Sequence, residues 1–279
     1  MTTTPAPTDT LTNTSAHSMP SFDRLTYATD EHIALIGLNR ADKRNAFDSV
    51  MIAELSEALT QYEADDQLRC AVVFAHGDHF TAGLDLMELQ DKLDDNIFEF
   101  GDAKIDPWGI TGKRRKKPVV VVVHGICLTA GIELMLNADV VIASQDCHFA
   151  QLEVKRGIMP FGGATVRFVR AAGWQKAMPY LLTGEAFDAN TAYELNLVSE
   201  VVEAGTQFER AMSMAKQICQ SAPLGVQSLL KSAFEGVHDG EVTAFANLHG
   251  YLPALFASQD AKEGAMAMIE RREPSFSGR

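Results

Sequence analysis

Apolar and polar residues follow regular spacings along most of this chain, and the spacings predict short strands and helices. Residues 32–38 alternate in the way that favours a strand. Residues 48–62 carry apolar side chains on one helical face, which predicts an amphipathic helix with Asp48 near its N-cap. Residues 119–123 are five consecutive valines, a run apolar on both faces that predicts a covered strand in a parallel sheet.

The order of the elements predicts an α/β fold. Residues 71–75 and 140–143 are further short strands, and strands that alternate with helices are typical of an α/β core. The pattern becomes wholly helical from about residue 208, and its last helix has Asp260 at the expected N-cap. We therefore divide the chain into an α/β core at residues 22–205 and a C-terminal helical module at residues 206–279.

The first 21 residues differ from the rest of the chain. They are rich in Thr, Ser and Pro and have almost no large apolar side chains, so we expect a disordered extension. This segment lacks both the charged start and the apolar stretch of a secretory signal.

Composition narrows the possible functions. The net charge of −13 disfavours nucleic acid and anionic membrane surfaces as partners, and no apolar run approaches the roughly 20 residues that span a bilayer. The four cysteines form no C-x-x-C pair, and reduced thiols favour a cytoplasmic location. Cys127 lies near the candidate site, where either a functional thiol or a small apolar filler is conceivable; the filler is favoured. No metal-binding or Gly-rich nucleotide-binding motif is present, so neither a metal nor a dinucleotide cofactor is expected.

Two segments about fifty residues apart suggest carbonyl chemistry. Residues 80–86 read Phe-Thr-Ala-Gly-Leu-Asp-Leu, and residues 124–134 read His-Gly-Ile-Cys-Leu-Thr-Ala-Gly-Ile-Glu-Leu. Each pairs small residues with a predicted helix start, where backbone N–H groups are free to meet a ligand. Two such donors aimed at one oxygen would stabilise the charge that develops on it. A further carboxylate, Glu153, follows in Gln-Leu-Glu.

At these segments the chain resembles the crotonase (enoyl-CoA hydratase) superfamily. Residues 80–85 match its F-x-A-G-x-D segment, residues 125–134 match its G-x-x-x-G-G-G-x-E-L segment with substitutions, and residues 150–163 resemble its second-glutamate loop. The resemblance covers roughly residues 22–279. It implies a spiral core of stacked ββα units, followed by helices that assemble the chain into a homotrimer or hexamer.

The resemblance also implies roles for individual residues. The oxyanion donors would be the amides of Leu84 and Ala130, with Ala130 just before a helix at residues 132–138. Glu133 and Glu153 align with the catalytic glutamates, and which is the acid and which the base stays open. Phe161 stands where the family usually has a glycine whose amide helps to hold the catalytic water.

Coenzyme A would be bound as part of the substrate rather than as a separate cofactor. The resemblance places the CoA contacts in two stretches of the chain. The implied CoA-binding residues are Lys43, Arg44, Ala46, Ala82 and Asp85. Thr129 and Ala130 replace two of the family's three glycines, so we expect tighter backbone approach there.

The predicted activity is hydration of a 2-enoyl-CoA to a 3-hydroxyacyl-CoA. Double-bond isomerisation, thioester hydrolysis and retro-aldol cleavage remain alternatives on the same scaffold. A non-catalytic RNA- or protein-binding role would use the basic run at residues 113–117, and the acidic composition opposes it. Residues 87–112 are expected to roof the acyl pocket, where Trp108 has either a pocket or a packing role.

Overall fold

The structure is a computed structural model, and it describes residues 21–90, 92 and 97–279. The predicted N-terminal extension, residues 1–21, lies outside the described residues except for Ser21. The strands are β1 (Leu25–Asp30), β2 (Ile33–Leu38), β3 (Cys70–Ala75), β4 (Val119–Val123), β5 (Ile126–Leu128), β6 (Val140–Ser144), β7 (His148–Ala150), β8 (Phe187–Asp188) and β9 (Glu200–Val202).

The helices lie between these strands and then make up the C-terminal part of the chain. They are α1 (Ser49–Ala64), α2 (Leu86–Leu89), α3 (Ala130–Met135), α4 (Ala164–Ala172), α5 (Trp174–Thr183), α6 (Ala189–Glu194), α7 (Gln207–Cys219), α8 (Pro223–His238), α9 (Glu241–Leu248), α10 (Leu252–Ala257) and α11 (Gln259–Glu270). Short 3-10 helices cover Ala41–Lys43, Glu153–Arg156 and His249–Tyr251.

Successive ββα units wind through two sheets. The large sheet has the order β1-β2-β3-β4-β6-β9 and is parallel except for β1, while β5, β7 and β8 form a small sheet. The chain passes from β4 to β5 and α3, then from β6 to β7 and the 3-10 helix, so each turn places one strand in each sheet. This repetition confirms the expected spiral of ββα units.

The run of valines is covered on both faces, as predicted. Val119, Val121 and Val123 pack in the main core with α1. Val120 and Val122 lie on the other face of the sheet, in a second apolar cluster that includes side chains of α7. The predicted N-cap of α1 is also confirmed, because the Asp48 carboxylate accepts a hydrogen bond from the Met51 amide at 2.8 Å.

The last helix begins differently from the prediction. Ser258 is its N-cap and accepts a hydrogen bond from the Ala261 amide at 3.0 Å. Asp260 lies inside the helix, where its carboxylate accepts bonds from the amides of Ser277 and Gly278. The N-cap assignment to Asp260 was wrong because the C-terminal tail folds back and provides donors that the local pattern does not show.

Candidate active site

The two segments chosen from the sequence lie side by side. The Thr81 amide donates to the Ile126 carbonyl at 3.0 Å, and the Leu128 amide donates to the Thr81 carbonyl at 3.1 Å. The segments also meet where Gly83 faces Thr129: a β-carbon on Gly83 would overlap the hydroxyl of Thr129. Glycine is therefore needed at position 83 for the two segments to approach this closely.

The proposed oxyanion donors directly follow that contact. Leu84 comes after Gly83 and Ala130 after Thr129, and among the described residues neither amide has a hydrogen-bond acceptor. Ala130 is the first residue of α3, which ends at Met135. The helix therefore starts two residues before the start of the predicted range, 132–138, and ends three residues before its end. Ala130 lies in its first turn, where amides lack an intrahelical partner.

Thr129 adopts a backbone conformation that threonine rarely takes. Its φ is 51° and its ψ is −116°, at the N-cap of α3. A β-branched residue at positive φ is strained, and such conformations persist where surrounding contacts hold them. The Thr129 carbonyl accepts bonds from the amides of Ile132 at 2.8 Å and Glu133 at 3.2 Å. These bonds fix the peptide that carries the Ala130 N–H group.

Glu133 is buried within α3 and only 3% exposed. Its Oε1 accepts a hydrogen bond from the Ala164 amide at 3.0 Å. Burial raises the pKa of Glu133, while the amides of Ala164 and Gly162 partly offset this effect by stabilising the anion. The sequence predicted this residue from its motif but could not show the two amides, which come from a loop about thirty residues later.

Glu153 lies at the start of the 3-10 helix and is also buried. Its Oε1 accepts a bond from Gln151 Nε2 at 3.0 Å, whereas its Oε2 and Gln151 Oε1 have no partner in the described part of the chain. Burial raises the pKa of Glu153 to about 7, and the nearby charge of Glu133 contributes to this rise. Two carboxyl groups thus share one site with different hydrogen-bonding environments.

Phe161 directs its side chain into an aromatic cluster. Its ring meets Phe98 edge to face at 5.3 Å between centroids, and Phe98 meets Trp108 at 5.8 Å in the same way. The Phe161 amide has no acceptor among the residues that the structure describes. The bulky side chain, 42% exposed, is therefore turned toward the segment expected to roof the acyl pocket, and the amide is left available.

The residues predicted to bind CoA gather on two paired loops. The Ala82 amide donates to the Arg44 carbonyl at 2.9 Å, so the stretch around Ala46 lies beside residues 82–85. Lys43 and Arg44 are exposed. Asp85 forms an ion pair with Arg40 at 2.8 Å, which gives that carboxylate a partner within the protein.

Arg40 is one of several site residues that the sequence did not identify. Its guanidinium also reaches the Ala46 carbonyl at 3.0 Å and so joins the two loops. Gln151, which holds Glu153, was likewise missed; its position two residues before that glutamate was the available signal. Arg167 donates to the carbonyls of Trp108 and Gly109, a contact that no sequence pattern indicated.

Three further features concern the thiol of Cys127, metal-binding side chains and membrane-spanning helices. Cys127 is fully buried, and burial raises the pKa of its thiol well above the usual range, which favours packing over reactivity. The described residues contain no group of three His, Cys, Asp or Glu side chains that could hold a metal ion. Nor does any helix within the described ranges have the length and apolar character needed to cross a membrane.

Three of the five basic side chains at residues 113–117 make contacts within the protein. Arg115 forms an ion pair with Asp139 at 2.5 Å. Lys117 is buried, and its ammonium donates to the carbonyls of Tyr62 at 3.1 Å and Asp65 at 2.6 Å. Arg114 lies over the ring of Phe234. These contacts occupy cations that an RNA-binding surface would have to present to solvent.

Comparison with known proteins identifies the family of the chain. Residues 28–279 match the enoyl-CoA hydratase/isomerase family model. The chain is 32% identical over 251 residues to the enoyl-CoA hydratase EchA19 of Mycobacterium tuberculosis, covering 89% of this chain and 94% of that protein. It is 29% identical to the 2,3-dehydroadipyl-CoA hydratase of Escherichia coli, covering 91% and 99% respectively.

Solved structures lead to the same family. A probable enoyl-CoA hydratase/isomerase from Mycobacterium abscessus superposes with a TM-score of 0.89 at 44% identity, covering 93% of this chain and all of that one. An enoyl-CoA hydratase from Mycobacterium tuberculosis gives a TM-score of 0.84 at 32% identity, covering 92% and 99%. The fold and site define an enzyme of the crotonase superfamily. Within it, the chain belongs to the enoyl-CoA hydratase/isomerase family.

Proposed function

We propose that this enzyme adds water to the double bond of a 2-enoyl-CoA thioester and forms a 3-hydroxyacyl-CoA. The observation that carries the proposal is a pair of buried carboxyl groups, Glu133 in α3 and Glu153 in the 3-10 helix, together with two backbone amides that have no acceptor in the described structure. The amides of Leu84 and Ala130 would stabilise the charge that grows on the thioester oxygen during addition. Coenzyme A enters as part of the substrate.

The different surroundings of the two glutamates suggest separate roles. Glu133 accepts a backbone hydrogen bond that favours its ionised form, so we assign it as the base that takes a proton from water. Glu153 has a raised pKa of about 7 and an oxygen without a donor, so we assign it as the acid that protonates Cα. The hydroxyl oxygen bonds to Cβ, and the protein regains its starting state after one proton returns from Glu133 to Glu153.

A double-bond isomerase is the nearest alternative, since one carboxyl group suffices to move a proton between two carbons. Both glutamates are buried at the site, which favours hydration. The test is the loss of conjugated-thioester absorbance with a panel of 2-enoyl-CoA substrates, with 3-enoyl-CoA substrates as the isomerase assay. Conversion of only the 3-enoyl series would overturn the hydratase proposal.

Substitution of each glutamate tests its assigned role in hydration. Glu133→Gln and Glu153→Gln should each lower hydration by roughly 10²–10⁴-fold, because an amide keeps the shape but cannot transfer the proton. Glu203→Gln, at an exposed position, is the matched control and should leave turnover unchanged. Near-normal turnover in either site variant would remove that glutamate from its assigned role.

We also propose that the enzyme works in the cytoplasm as a homotrimer or hexamer. The four cysteines are buried free thiols, which suit a reducing compartment. The C-terminal helices expose large apolar side chains, including Phe245, Met268 and Ile269, and a second copy of the chain would cover them.

A further inference from the structure

Trp108 makes a direct hydrogen bond to one of the two oxyanion residues. Its indole Nε1–H donates to the carbonyl oxygen of Ala130 at 2.9 Å, and the side chain is only 3% exposed. The ring also packs edge to face on Phe47, with 5.6 Å between centroids. The indole thus reaches across twenty-two residues of sequence to the first turn of α3.

The loop that carries Trp108 is held by several polar contacts. The Asp106 carboxylate accepts bonds from the amides of Trp108 at 2.8 Å, Ile110 at 2.7 Å and Thr111 at 2.8 Å. Asn137 donates to the Pro107 carbonyl at 3.0 Å. Because the backbone is fixed on both sides of the ring, the indole is directed at a defined position.

The indole donates its hydrogen bond to Ala130, the residue that directly follows the strained Thr129. Thr129 is held at φ 51°, and a residue in such a conformation relaxes unless its neighbours are fixed. Hydrogen bonds from α3 hold the Thr129 carbonyl on one side of the Ala130 N–H group, and Trp108 holds the Ala130 carbonyl on the other. The carbonyl groups of Thr129 and Ala130, one on each side of the Ala130 N–H group, are therefore both restrained.

We propose that Trp108 is a positioning residue that directs the Ala130 N–H group toward the substrate carbonyl through its hydrogen bond to the Ala130 oxygen. This inference rests on the proposed function, in which Ala130 is an oxyanion donor. The indole N–H is engaged by the protein, so its effect on the substrate is transmitted through the backbone. An N–H donor that is not held in a fixed orientation stabilises the transition state less. An oxyanion hole is effective because its donors are already oriented toward the oxygen before the charge develops.

The Trp108→Phe variant tests the role of the N–H group with the least change to packing. Phenylalanine keeps an aromatic ring beside Phe47 and Phe98 but cannot donate the bond. We expect kcat to fall about tenfold, with KM changed less than about twofold, because the lost restraint acts mainly in the transition state. Trp174→Phe is the matched control: Trp174 is 63% exposed, and its replacement should change neither constant.

A spectroscopic measurement distinguishes positioning from general stability. A chromophoric cinnamoyl-CoA analogue absorbs at longer wavelength when its carbonyl is polarised, and we expect a smaller red shift in Trp108→Phe than in the wild type. Absence of any red shift in the wild-type enzyme would contradict the oxyanion assignment and with it the proposed function. A normal wild-type shift with an unchanged shift and kcat in Trp108→Phe would overturn the role of Trp108 alone.

A second measurement keeps the inference testable if Trp108→Phe does not fold. The chain has two tryptophans, so Trp174→Phe leaves one indole N–H resonance for NMR. We expect this proton to exchange slowly with solvent and to shift when acetoacetyl-CoA binds, since the enolate of that ligand places charge beside the Ala130 amide. Rapid exchange without a shift on binding would contradict the proposed contact.

Discussion

Gly162 lies directly against the carboxyl group of Glu133. A β-carbon on Gly162 would be 2.6 Å from Glu133 Oε2 and 2.9 Å from Cδ1 of Trp108. Position 162 therefore has no room for a side chain while the carboxyl group keeps its place. The contact links the loop before α4 to the helix that carries the proposed base.

Gly162→Ala should reduce hydration by about a hundredfold, because displacement of a catalytic group by a fraction of an ångström to one ångström has effects of this size. Steady-state kinetics will measure the loss. Gly250→Ala is the control, since a β-carbon there meets nothing within 4 Å and its turnover should be normal. Unchanged turnover in Gly162→Ala would show that the carboxyl group of Glu133 can move without loss of activity.

The pH dependence of kcat/KM should follow the two carboxyl groups. In the proposed mechanism Glu153 is the acid and must be protonated, so activity should decline as pH rises above its pKa of about 7. The proposed base, Glu133, must be ionised, so activity should also decline at low pH. A bell-shaped profile is expected, and a rate that keeps rising well above pH 8 would contradict the assignment of Glu153.

The stability of the folded protein should also depend on the protonation of Glu153, because burial favours its neutral form. Its pKa is about 7 in the folded state against 4.5 for an ordinary glutamate, so the folded state loses stability as pH rises from about 4.5 through 7. The shift corresponds to about 3 kcal/mol above that window. Glu153→Gln should therefore raise the free energy of unfolding at pH 9 and change it much less at pH 4.5.

Denaturant titrations at the two pH values will measure this difference. The amide of Glu153→Gln can also donate to Gln151 Oε1, which has no partner in the described structure. Glu203→Gln again serves as the exposed control. An equal effect of Glu153→Gln at both pH values would argue against a raised pKa.

Gly83 and Thr129 should be energetically coupled. Gly83→Ala should destabilise the protein, because its methyl group would overlap the Thr129 hydroxyl and because Gly83 has φ +87°. The Thr129→Gly variant relieves both the overlap and the strain at position 129. Gly83→Ala should therefore cost less in the Thr129→Gly background, and a double-mutant cycle from thermal unfolding will measure the coupling. Additive effects would contradict direct contact.

The exposed face of α11 should carry part of the subunit interface. Met268 and Ile269 are 76% and 71% exposed, and we expect the wild type to scatter light as a trimer or hexamer. Replacing both residues with glutamate should dissociate it, as should deletion of residues 261–279. Met87→Glu, at a side chain 85% exposed, is the control outside these helices. A monomeric wild type with full activity would contradict the assembly and leave the catalytic proposal intact.

Several features could be predicted from local sequence because their causes are local. Alternation predicted β2, helical spacing predicted α1 with its Asp48 cap, and the valine run predicted a covered strand. The small residues before Glu133 and around Gly83 indicated both segments of the candidate site. Each of these features depends on residues a few positions apart, whose spacing fixes the face or the turn they occupy.

Features that depend on contacts between residues far apart in the sequence were decided only by the tertiary structure. The start of α3 at Ala130, the role of Asp260 in holding the tail, and the bond from Trp108 to Ala130 all involve partners that local spacing does not indicate. The contrast between Glu133 and Glu153 also arises this way, because neighbours from other loops set the pKa of each carboxyl group. Sequence by itself determined which chemical groups the site contains, whereas long-range packing decided their direction, burial and charge.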